Sequence, residues 1–182
     1  MVSSVERPRN YPIYTTPIDL DSFIFCNSET DNEIKTELKN KNKTLDSENI
    51  FHDSLWHLDF DGSVNKIGAG AGVWITNMEN NHAEGYAFRL NFKCTNNIVE
   101  YEALILGLHI ITNLEGKRVS IMGDSELIVK QINGSYSVYN PRLSQYRETV
   151  LDLIKELLEC NFSTIPRKQN IQALCCYRKS CY

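Results

Sequence analysis

With 182 residues, of which 42% are hydrophobic, the chain has enough apolar mass for one core, which argues for one domain with flanking segments rather than two full domains. A formal net charge of -4 excludes a polybasic nucleic-acid binder, so any contact with a polyanion must come from a local patch or from metal ions. The six cysteines (Cys26, Cys94, Cys160, Cys175, Cys176, Cys181) show neither Cys-x-x-Cys spacing nor a histidine at a zinc-ligand interval, so neither a zinc site nor a disulfide framework is indicated.

In chain order, residues 1–52 are rich in Asn, Ser, Thr, Lys, Asp and Glu and are broken early by Pro8, Pro12 and Pro17. Such a composition buries too little surface to offset the entropy of ordering, and a disordered leader is expected, with a nascent helix over Glu33 to Lys43. The run Lys39 to Lys43 reads as a solvated charge run. No early apolar run resembles a signal peptide, and none reaches the roughly 20 residues that span a membrane. A soluble intracellular protein with reduced thiols is expected, in the cytoplasm or the nucleus and without a membrane partner.

At Trp56 the pattern becomes dense. Period-two alternation puts Trp56, Leu58 and Phe60 on one face of a strand and His57, Asp59 and Asp61 on the other, and the strand runs out on Gly62-Ser63. Gly68, Gly70 and Gly72 separate it from a short strand, Val73 to Thr76. A polar turn, Met78 to His82, leads to a third strand, Gly85 to Phe92. No helix follows the glycines, so close strand packing accounts for them better than a phosphate loop.

Asn96 or Asn97 is a good N-cap for a helix from Ile98 to Leu114. Its stripe is Glu100, Ala103, Leu104, Gly107, Leu108 and Ile111. A carboxylate in such a stripe is costly unless it is paired or binds a metal, which singles out Glu100. Glu102 reads as a surface residue and His109 as a core-edge residue. Arg118 to Gly123 forms a fourth strand ending on Asp124. Ser125 to Ile132 is the next helix, stopped by Asn133-Gly134. Beyond Asn140-Pro141, Leu143 to Leu158 forms a helix with Tyr146, Val150, Leu153, Ile154, Leu157 and Leu158 facing in, and Cys160 to Ile165 gives a last strand. The order β-β-β-α-β-α-α-β implies an α/β fold: a mixed sheet, its first three strands antiparallel, with helices packed on it.

Three acids thus stand at element ends: Asp61, Glu100 and Asp124. Hard divalent cations take carboxylate oxygens, and two such ions roughly 3.5 to 4 Å apart can activate a water and stabilise a leaving oxygen in phosphodiester hydrolysis. Asp61, Glu100 and Asp124 are therefore candidate ligands for such a cation.

The series Asp61-Gly62-Ser63, then Thr95-Asn96-Asn97-Ile98-Val99-Glu100, then Gly123-Asp124-Ser125 resembles the ribonuclease H type 1 family. Asn96 to Leu104 and Asn133-Gly134-Ser135-Tyr136 are similar in wording to the ribonuclease H domains of plant retroelement (reverse transcriptase-like) polyproteins. The resemblance covers Trp56 to Ala173. It implies a ribonuclease H-like fold and a metal-dependent endonuclease that hydrolyses the RNA strand of RNA–DNA hybrids. Asp61, Glu100 and Asp124 would be its catalytic metal ligands, for two Mg²⁺ ions with Mn²⁺ as a substitute. Gly62, Ser63, Thr95, Asn96, Asn97 and Ser125 would contact substrate. A monomer is expected, with a polymerase domain in trans as a further partner, because no Lys- and Trp-rich handle lies between the second and third helices.

The sequence departs from the family twice. Asp59 stands where relatives commonly have a bulky aromatic, and it should repel Asp61 and raise a carboxyl pKa. The family's fourth metal-binding acid follows a Pro-Arg-x-x-Asn-x-x-Ala stretch, but here Pro166 to Ala173 is followed by Leu174, and no Asp or Glu occurs after Glu159. Residues 174–182 show no helical apolar spacing, so an aberrant tail and a truncated final helix are expected after a domain spanning 53–173. The missing acid leaves two alternatives: a catalytically impaired nucleic-acid-binding module, or a retroelement relic.

Overall fold

A computed structural model describes residues 3–5, 54–66 and 68–180. Six strands form one sheet in the order β1-β4-β3-β2-β5-β6. They are β1 (Ser3–Val5), β2 (Leu55–Val64), β3 (Ala69–Asn77), β4 (Ala83–Leu90), β5 (Arg118–Gly123) and β6 (Glu159–Thr164). Four helices accompany them: α1 (Asn96–Asn113), α2 (Glu126–Ile132), α3 (Pro141–Ile154) and α4 (Ile171–Ser180). Hairpins make β2, β3 and β4 antiparallel, while the helical crossovers make β5 parallel to β2 and β6 parallel to β5. This is the expected α/β mixed sheet. Among the described residues no helix is long and apolar enough to cross a membrane.

The central position of β2 follows from its composition. Leu58 and Phe60 are fully buried and meet α1, and Gly107 of α1 permits the approach, because a Cβ there would lie 2.6 Å from Leu58 Cδ1. Helix α1 lies between the sheet and α3, so it is apolar nearly all round: Val99, Tyr101, Leu104, Ile105, Ile110 and Ile111 are all fully buried. The one-stripe reading of this helix was therefore too narrow. It also misplaced Glu102, which is 0% exposed rather than on the surface.

Other expectations are corrected at element ends. Strand β3 begins at Ala69, so Gly70 and Gly72 lie inside it, opposite Ser63 and Asp61, instead of separating two strands. Helix α3 starts at Pro141, where the Asn140 side chain accepts from the amides of Arg142 and Leu143, and it ends before Leu158, which is 74% exposed instead of core. The disordered-leader reading falls mostly outside the described residues, but Ser3–Val5 form a strand parallel to Phe88–Leu90 of β4.

Most of the expected tail is helical, while residues 181–182 lie outside the described residues. Residues Ile171–Ser180 form a ten-residue helix on the sheet face opposite α1, with Ala173 and Cys176 buried. Its inward positions are small, which hid the pattern. A Cβ on Gly85 of β4 would lie 2.7 Å from Cys176 Sγ and 2.8 Å from the Trp74 ring, so small residues are what this close packing requires.

Candidate metal centre

The sheet register brings two of the acids together. Phe60 of β2 pairs with Gly123 of β5 as the last rung of a parallel ladder, so Asp61, still inside β2, and Asp124, just past β5, each one residue further on, stand side by side. The third acid arrives from above. A Cβ on Gly62 would lie 2.6 Å from the carbonyl carbon of Val99 and 2.8 Å from the Glu100 nitrogen, so glycine is needed for the second turn of α1 to approach β2. One carboxylate oxygen each from Asp61, Glu100 and Asp124 then lie within 4.8 Å of one another.

Two of these acids are poorly satisfied by the protein. Asp61 is 1% exposed, and neither of its oxygens has a hydrogen-bond partner; Glu100 Oε2 has none either. Burial first, then the charges of Asp61 and Asp124, raise the Glu100 pKa to about 9. Burial and the charge of Asp124 raise that of Asp61 to about 6. Arg167 pulls both down, and the Gly62 amide does so more weakly without closing a hydrogen bond of normal geometry. Three converging carboxylates, two of which carry buried oxygens without a partner, fit a hard divalent cation, which would supply the missing partners and cancel the repulsion.

The expected repulsion from Asp59 is not what acts on Asp61. Asp59 instead contacts His57, with Oδ1 3.2 Å from Nε2, and this hydrogen bond is the main cause of a raised His57 pKa. Two residues apart on one strand face, Asp59 and Asp61 have separate surroundings, and Asp124 is the charge that matters.

Sequence reasoning missed two residues of the centre. Asn170, 1% exposed just before α4, donates through Nδ2 to the Phe60 carbonyl at 2.9 Å and to Asp124 Oδ1 at 3.4 Å. Arg167 places Nε 3.7 Å from Asp124 Oδ2. Both lie in the Pro-Arg-x-x-Asn-x-x-Ala stretch, where no local pattern signals that an amide and a cation reach Asp124.

The residues expected to contact substrate lie at the start of α1, near the end of β2 and just after β5. Asn96 Oδ1 accepts from the Val64 amide at 3.1 Å, which ties the start of α1 to the end of β2. Thr95, not Asn96 or Asn97, is the N-cap of α1, and its side chain makes no capping bond. Thr95 and Asn96 are exposed, while Asn97, Ser63 and Ser125 are partly so.

Comparison with known proteins agrees with this geometry. The model of the family described as reverse transcriptase-like matches residues 59–179. The bifunctional protein Rv2228c of Mycobacterium tuberculosis is 30% identical over 112 residues, which cover 62% of this chain and 30% of that protein. The chain thus matches under a third of that relative's length. The crystal structure of ribonuclease H1 from Halobacterium salinarum superposes with a TM-score of 0.62 at 25% identity, covering 69% of this chain and 96% of that one. LC11-RNase H1, isolated from compost by a metagenomic approach and solved in complex with an RNA/DNA hybrid, gives a TM-score of 0.59 at 30% identity, covering 69% and 95%. From the matched family model and the sheet that carries its motifs, the chain belongs to the reverse transcriptase-like family and has the fold of the ribonuclease H type 1 family.

Proposed function

We propose that the protein is a divalent-metal-dependent ribonuclease that hydrolyses the RNA strand of RNA–DNA hybrids. The observation that carries this reading is the meeting of Asp61, Glu100 and Asp124 within 4.8 Å, with both Asp61 oxygens buried and without a partner. Bound Mg²⁺, or Mn²⁺ in its place, supplies Lewis-acid activation of a water and stabilises charge on the leaving oxygen.

The chain's own residues do the rest. Asp61, Glu100 and Asp124 hold the cation, while Asn170 orients Asp124 through the bond it makes to that carboxylate. Gly62 admits Glu100 to the centre. Thr95, Asn96 and Asn97, with Ser63 and Ser125, would contact the hybrid, since amide and hydroxyl groups of this kind can read 2′-hydroxyls across the minor groove. The hybrid-bound structure of LC11-RNase H1 supports that substrate class. Without a basic handle, and at a net charge of -4, the chain grips a polyanion weakly alone, which makes a polymerase domain in trans the natural partner.

A second reading, a binding module with impaired catalysis, is favoured by Leu174 at the position of the family's fourth acid. One assay separates the two. Purified protein is given a labelled hybrid with Mg²⁺ or Mn²⁺, beside the Asp61→Asn variant. Cleavage of the RNA strand that disappears in the variant supports the ribonuclease. Hybrid bound but uncut by the parent supports the module. Neither cleavage nor binding overturns both.

A further inference from the structure

We infer that this centre holds one divalent cation rather than a pair, and that the Arg167 guanidinium supplies positive charge on the side of Asp124 where a second cation would need a ligand. The inference rests on the metal-dependent reading above and concerns how this chain departs from a two-ion arrangement.

The three carboxylates are not equivalent. Asp61 and Glu100 present buried oxygens with no protein partner, whereas Asp124 is engaged on both of its oxygens, by Asn170 Nδ2 on Oδ1 and by Arg167 Nε on Oδ2. The unmet demand for positive charge therefore lies on the Asp61 and Glu100 side.

The helix explains why a second ion lacks a ligand. The Leu174 amide donates to the Asn170 carbonyl at 3.2 Å, the first i to i+4 bond of α4. Residues four apart on a helix share one face, so Leu174 stands one turn along from Asn170, whose own side chain reaches Asp124. An acid at position 174 would approach the centre from this side; leucine offers no oxygen there. Among the described residues the group of potential metal ligands has three members, and no further His, Cys, Asp or Glu joins it.

The test is Mn²⁺ binding to the full chain, without nucleic acid, by calorimetry and electron paramagnetic resonance. The parent should take up one equivalent at the centre, abolished by Asp61→Asn, with no spin coupling between ions. Leu174→Asp should add a second equivalent within about tenfold of the first in affinity, with the line broadening of a close ion pair. Two equivalents in the parent, both lost in Asp61→Asn, would overturn the inference, as would a Leu174→Asp protein that still binds one.

Arg167 is tested separately, which also covers the case of a Leu174→Asp protein that fails to fold. Arg167→Gln removes a like charge facing the bound ion and should tighten the single site about threefold to tenfold, while Arg167→Lys leaves it unchanged. Equal affinity in all three proteins would remove Arg167 from the account. Hybrid cleavage is read independently: one ion bound without cleavage leaves this inference standing and sinks the ribonuclease reading, and two ions with cleavage does the reverse.

Discussion

Glu100 and Glu102 stand two residues apart on α1, Glu100 partly exposed with a buried Oε2 and Glu102 fully buried, and their surroundings are opposite. Glu102 is 0% exposed and accepts from the Tyr146 hydroxyl of α3. The Tyr146 ring stacks on Tyr101 with centroids 5.8 Å apart, the Tyr101 hydroxyl donates to Gln131 Oε1 at 2.9 Å, and Arg147 Nε donates to the Gln131 carbonyl at 2.7 Å. This network ties α1, α2 and α3 together with its buried polar atoms matched. Glu100 instead faces two further acids and leaves Oε2 without a partner. Burial alone therefore does not mark a functional acid. What separates the two is whether the protein itself satisfies the carboxylate.

The strongest way to break this contrast is at the centre. Asp61→Asn removes one charge from a buried, orphaned carboxylate. We expect hybrid cleavage to fall by about 10³-fold or more, the loss of several kcal/mol of metal-assisted stabilisation, while the folded protein survives. Single-turnover cleavage together with circular dichroism checks both halves. A variant that cuts hybrid at the parental rate would sink the assignment of the centre.

The next largest effect is the pH dependence of the metal-free protein. In chelator, the folded state holds a proton on Glu100 up to about pH 9, whereas the unfolded chain releases it near 4.5. The folded state binds the extra proton, so stability is fullest below the unfolded value and falls as pH rises from about 4.5 to about 9. Asp61 adds a smaller decline between about 4 and 6. Melting temperature should therefore drop between pH 5 and pH 9 in chelator. Glu100→Gln should flatten the decline and stabilise the metal-free protein at pH 8, while it weakens cation binding. A parental melting temperature independent of pH would contradict the raised Glu100 pKa.

The matching experiment on the other acid is Tyr146→Phe. Removing the hydroxyl strips a fully buried carboxylate of a donor and should cost about 1–3 kcal/mol in urea unfolding. Mn²⁺ affinity should not change, because the network that this bond belongs to does not reach the centre. A shift in cation affinity on Tyr146→Phe would show that the two acids are coupled through α1.

Much of this was legible in the sequence where period and punctuation act locally. Alternation placed Asp61 on β2, although that strand runs on to Val64 instead of ending there, Gly123-Asp124 closed β5, and the resemblance placed Glu100 near the start of α1; all three acids meet. The failures have tertiary causes. A helix covered on one side by the sheet and on another by α3 has no polar stripe to read, so Glu102 looked external. Helix α4 packs through Ala173 and Cys176 against Gly85 and Trp74, and small-residue packing carries little hydrophobic periodicity. Arg167 and Asn170 come next to Asp124 only because α4 folds back across the sheet, at a sequence distance that no local pattern spans.

The smallest effect sharpens the division between holding the fold and reading the substrate. The sequence offers Asn96 or Asn97 as the cap of α1, and a capping Asn97 would make Asn97→Ala cost about 1 kcal/mol. With Thr95 as the N-cap and no side-chain capping bond, Asn97→Ala should instead change stability by no more than about 0.5 kcal/mol and act mainly on hybrid binding. Asn96→Ala differs, because Asn96 Oδ1 accepts from the Val64 amide and fastens α1 to β2; its loss should cost about 0.5–1.5 kcal/mol. Urea unfolding set beside hybrid anisotropy, measured in chelator to prevent cleavage, separates the two roles. Asn97→Ala that weakens binding at parental stability places the residue in the substrate groove. Unaltered binding in both variants removes the start of α1 from substrate recognition and leaves Asn96 as a clamp between helix and strand.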